Sequence, residues 1–68
     1  MEKMDVVRKI SEGANGKVLV AFRKQEGFFK IRNDENRESF MLQLSESKHY
    51  SREVRFVSDN QMNILNVI

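Results

Sequence analysis

Few side chains in this 68-residue sequence could do covalent chemistry. Ser39, Ser45, Ser47 and Ser51 offer hydroxyls, His49 is the single imidazole, and Asp34 and Asp59 could orient it. A hydrolytic triad needs a nucleophile beside a base that a third group holds in place. No spacing here fixes that arrangement. His49 falls near the end of an expected helix, where a cation complements the dipole and caps carbonyls. No catalytic residue is therefore assigned, and the chain is expected not to be an enzyme. The sequence has no Cys, so it has neither a disulfide nor a thiolate metal site, and one His leaves no second imidazole for zinc. No metal and no cofactor are expected. Residues 13–17 read Gly-Ala-Asn-Gly-Lys, which looks like a phosphate loop. A phosphate loop opens a helix, however, and this one leads into strand residues.

Binding chemistry is better represented. Arg23, Lys24, Lys30 and Arg32 crowd one short stretch around Phe28. An aromatic ring flanked by cations is what stacks and neutralises a single-stranded nucleic acid. Glu26, Asp34 and Glu35 lie in the same stretch and oppose phosphate. The five residues Arg23, Lys24, Phe28, Lys30 and Arg32 form the candidate binding face. The net charge of +2 is too small to imply a dedicated polyanion site.

These side chains need elements to carry them. Residues 17–23 are apolar on both faces, with Val18, Val20 and Phe22 on one and Leu19 and Ala21 on the other. That pattern predicts a central strand. Residues 24–27 make a polar connection ending in Gly27, and residues 28–32 return with Phe29 and Ile31 inward. Residues 33–38 are polar and rich in capping types, and a short strand could hide between 33 and 37. A helix is expected over 38–49, with Phe40, Met41 and Leu44 as its apolar stripe and Ser47 one turn on. Leu42 lies off that stripe and is the candidate oligomer contact. Strands are expected at 53–58, with Val54 and Phe56 inward, and at 64–68. At the other end, Met4, Val7 and Ile10 recur at intervals of three, which predicts a short amphipathic helix over 2–12. Gly13 then serves as its cap, and Asn15-Gly16 as a turn.

A chain of this size buries a marginal core, and small scaffolds need a staple. Without disulfide or metal, self-association is the staple that is left. No apolar run is long enough to span a membrane. The first ten residues lack the apolar core of a signal peptide, so the cytoplasm is the expected compartment, or secretion if a leader has been removed.

The order of strands and helix resembles the receptor-binding B subunits of Shiga- and cholera-type bacterial toxins. The residues that carry the resemblance are 16–18 opening a strand, Phe28-Phe29-Lys30-Ile31 as its mate and the helix over 39–45. Residues 54–57 and the closing Ile64-Leu65-Asn66-Val67-Ile68 complete it. The resemblance covers residues 16–68 and implies an oligonucleotide/oligosaccharide-binding (OB) barrel of five strands. It also implies a ring of five subunits with the helices lining the centre, and glycan recognition on one face if the chain is secreted. The absence of Cys departs from that family, and no glycan-contact residue is carried over.

The expectation is one α+β, mainly β domain over 1–68, a five-stranded OB-like barrel with one helix between strand groups and a short N-terminal helix. It is expected to bind another protein, its own copy included. Single-stranded nucleic acid is the alternative partner and a glycan the third.

Overall fold

The computed structural model describes residues 1–13, 16–31 and 35–68. Its elements in chain order are β1 (Glu2–Asp5), β2 (Val7–Glu12), β3 (Val18–Phe22), β4 (Phe29–Ile31), α1 (Arg37–Tyr50), β5 (Val54–Ser58) and β6 (Asn63–Val67). They form a six-stranded sheet in the order β1-β5-β6-β4-β3-β2. All neighbours run antiparallel except β4 and β6, which are parallel. The molecule is mainly β, with one helix against a curled mixed sheet.

Two expectations are corrected. There is no N-terminal helix, and among the described residues there are six strands rather than five. The three-residue spacing of Met4, Val7 and Ile10 has another cause. Met4 is exposed and Asp5, beside it, is buried, so Met4 never belonged to an apolar stripe. Val6 and Val7 are both buried because the chain bends between β1 and β2. A bulge follows, where Val7 pairs with Phe22 but Lys9 with Ala21, leaving Arg8 as the extra residue. Bend and bulge each shift the two-residue alternation of a strand by one place. The result imitates a helical period. β-branched Val6, Val7 and Ile10 suit the strand that forms.

β1 and β2 are separated only by Val6, yet they stand at opposite ends of the strand order. The sheet must therefore curl until its two edges meet at one bend, giving a half-barrel. The bend cannot use regular ladder hydrogen bonds, and its backbone groups find substitutes. The fully buried Asp5 carboxylate accepts from the Val6 N–H at 2.7 Å and the Lys24 N–H at 2.8 Å. The Val6 carbonyl accepts from the Arg23 N–H at 3.0 Å. The Val7 N–H donates to the hydroxyl of buried Ser47 at 3.1 Å, and that hydroxyl donates to the Arg52 carbonyl. Every bonding group named here would cost free energy if buried unpaired.

The concave side of the sheet holds the core. Phe22 stacks on Phe56 at 4.3 Å between centroids, and Phe29 meets both edge-on at 5.3 and 5.4 Å. Val7, Val18, Val20, Ile31, Val54, Ile64 and Val67 surround these rings, and α1 covers the cluster with Phe40 and Leu44. Turn chemistry completes the sheet. Gly27 has φ +78° in the β3–β4 connection. In the β5–β6 connection, Asp59 Oδ1 accepts from the N–H groups of Gln61 and Asn63, which supports Met62 at φ +64°. The Met62 carbonyl in turn accepts from the Lys30 N–H at 2.8 Å, extending the parallel β4–β6 pairing.

Replacing Asp5 with Ala removes the acceptor of two backbone N–H groups at the bend. The expected loss is about 2–4 kcal/mol, most of what a core of this size supplies. Urea denaturation followed by circular dichroism measures it, and a loss below about 0.5 kcal/mol would mean the carboxylate does not hold the bend.

Candidate functional site

The expected binding face is only partly assembled. Phe28 is exposed just before β4, and Lys30 is exposed on the same outward side of that strand, opposite Leu19 of β3. Lys24 is exposed, with its backbone tied to Asp5. Arg23 is diverted: its guanidinium donates to the Ser51 hydroxyl at 3.1 Å, at the end of α1 and away from the sheet face. Arg32 and Asp34 lie outside the described residues, as does Asn15 of the expected turn. Of the candidate short strand at 33–37, residues 33 and 34 lie outside them too, while Glu35 and Asn36 form a turn and Arg37 opens α1. Gly13, expected to cap a helix, instead donates its N–H to the Lys17 carbonyl at 2.8 Å and closes the β2–β3 connection.

The residues considered for a triad are dispersed. Ser47 is buried and its hydroxyl both accepts from Val7 and donates to Arg52. Asp59 organises the β5–β6 turn. His49 sits at the exposed end of α1 with its ring edge-on to Tyr50 at 4.7 Å. Among the described residues, no group of three or more His, Cys, Asp and Glu could hold a metal ion, and no helix is long and apolar enough to cross a membrane.

The outer side of α1 carries the most unusual surface. Phe40, Leu44 and Ser47 point into the core. On the far side of the helix, Leu42 is 63 % exposed, as is Tyr50 in the last turn. Leu42 and Ser45 line two adjoining open grooves of about 700 and 480 Å³. Ile10 of β2 and Tyr50 contribute to the larger groove, and half-buried Met41 to the smaller. Glu38 lies in the first turn of the helix, Lys48 and His49 in the last. Each sign complements the end of the macrodipole it occupies. The helix closes at Ser51, held in the left-handed region at φ 54°, with the Arg52 N–H donating to the Ser47 carbonyl at 3.1 Å. Arg52 then lies over the Tyr50 ring at 5.6 Å, a cation–π distance. The sequence marks Leu42 through its place off the buried stripe. Ile10 and Tyr50 carry no such mark, because their exposure depends on where β2 and the helix end lie.

No protein-family model and no curated protein matches the chain. Among solved structures, it is similar to a mutant of pro-protein-glutaminase, with a TM-score of 0.81 and 22 % sequence identity. The match covers 94 % of this chain and 23 % of that one, so the chain spans about a quarter of the neighbour's length. At this identity the likeness establishes the fold of a small, mainly β unit.

Ser51 holds a conformation that glycine adopts without a Cβ penalty. Ser51→Gly is expected to raise the melting temperature by about 4 °C, despite losing the exposed bond from Arg23. Differential scanning calorimetry measures this, and a fall in melting temperature would mean that the Arg23–Ser51 contact outweighs the strain.

Proposed function

We propose that the chain is a non-enzymatic interaction module that self-associates through the outer face of α1. The observation that carries this reading is Leu42. It is a large apolar side chain, mostly exposed, at the junction of two grooves on α1. A leucine at that position adds nothing to the core, which α1 already covers with Phe40 and Leu44. Size supports the same reading: a core built from 68 residues without a disulfide is small, and binding a second copy would stabilise it.

The strand order also supports an OB-type barrel as the finer fold reading. Counting β1 and β2 as two halves of one bent strand leaves five strands, with the helix between the third and fourth. Such barrels bind oligonucleotides or oligosaccharides on the face of their second and third strands. Here those strands are β3 and β4, which present Leu19 and Lys30 outward, with exposed Phe28 just before β4. That observation favours single-stranded nucleic acid as the second reading.

Size exclusion with light scattering tests the first reading. The chain is expected to show a mass above that of one copy at high micromolar concentration, and Leu42→Asp to return it to one copy without lowering its melting temperature. A monomeric wild type at that concentration removes self-association. Fluorescence anisotropy with a labelled single-stranded oligonucleotide at low salt tests the second reading. Binding that Phe28→Ala weakens by about tenfold, the cost of one lost stacking contact, would support it. No binding at low salt would end it.

A further inference from the structure

We infer that two copies pair through α1 as an antiparallel, two-fold dimer. This rests on the self-association proposed above and adds the geometry of the pair.

The residues directly opposite the buried stripe are Glu38, Leu42, Ser45 and His49, all exposed. Their spacing of four, three and four places them within one narrow strip of the helix. The strip is self-complementary under reversal. Turned end for end about the midpoint between Leu42 and Ser45, it sets Leu42 of one copy against Ser45 of the other. It also sets Glu38 of one copy against His49 of the other. A large side chain then meets a small one, which leaves room for the two helices to approach. The acidic first turn meets the basic last turn, where Lys48 adds its charge. A parallel pair would instead set Leu42 against Leu42, acid against acid and base against base, with the two macrodipoles aligned.

The flanks reinforce the same sense. Glu12 of β2 lines the groove beside Glu38, while Lys48, His49 and Tyr50 line the other, where the exposed acid Glu46 offsets one of the two basic side chains. The guanidinium of Arg37, which would oppose this pattern, reaches back towards Gly16, about 4.0 Å from where a Cβ would stand there. A contact between identical strips in opposite sense is isologous and closes at two copies, where a ring needs two different surfaces. A helix of 14 residues is about 21 Å long, so the interface is smaller than a standard one and the dimer is weak, with Kd on the order of 10–100 μM.

The absence of Cys permits a direct test. Glu38→Cys and His49→Cys variants are made separately and treated, alone and mixed, with a short bis-maleimide at 200 μM protein, a concentration chosen from the order of that Kd. The antiparallel pair predicts a cross-linked dimer in the mixture and little in either variant alone. Charge reversal supplies a second readout. Glu38→Lys or Lys48→Glu is expected to weaken the dimer about tenfold in sedimentation equilibrium, and the double variant to recover most of that loss. Cross-linking within each variant alone, with a dimer still present by light scattering, overturns the antiparallel geometry and leaves self-association standing. Masses of four or five copies overturn the closed pair. A monomer throughout overturns both.

Discussion

The half-barrel depends on how the chain turns at Asp5, Val6 and Val7. A strand that must serve both edges of a curled sheet cannot keep its ladder through the bend, so its backbone groups need other partners. Asp5 supplies two acceptor oxygens, one for the next residue and one for Lys24 across the barrel. Ser47 supplies the partner for Val7 from the helix. One buried carboxylate and one buried hydroxyl thus join β1, β2, the end of β3 and α1 at a single point. Burying a polar group this fully is tolerated only because its oxygens are hydrogen-bonded.

The same junction sets the position of the helix. Ser47 faces the bend, and Phe40 and Leu44 face the ring cluster on the same side of α1. With that side fixed, rotation of the helix is fixed, and Leu42, Ser45 and His49 must face solvent. The composition of the outer strip is therefore independent of the core. Its one large apolar residue is a surface feature rather than a packing residue.

Much of the sheet was legible in the sequence because β4 and β5 alternate and β3 is apolar on both faces, as a central strand is. Val18, Val20 and Phe22 are buried, as are Phe29, Ile31, Val54 and Phe56. The helix was legible from Phe40, Met41, Leu44 and Ser47, of which Met41 is only half-buried, and Leu42 stood out by contrast. The N-terminal segment was not legible, because a bend and a bulge within seven residues disguised two strands as a helical period. Asp5 was hidden for a different reason. A carboxylate in sequence reads as surface, and only the meeting of β1 with the end of β3 gives it backbone donors. The diversion of Arg23 towards Ser51 was hidden likewise, since those residues meet only through the fold. Local pattern reveals elements, but the partners of polar groups depend on contacts between segments remote in sequence.

The position of β5 bears on how the domain acquires its structure. β5 lies between β1 and β6, so the first strand and the last flank the same segment. The Met1 amino group donates to the Ser58 carbonyl, 57 positions away, and the Ile68 N–H donates to Arg55. The hairpin of β3 and β4 can form from neighbours, but the sheet closes only when distant strands find one another. Loop closure entropy must be met before those contacts contribute. The fold therefore belongs with the slower small domains, because its sheet closes through pairings remote in sequence.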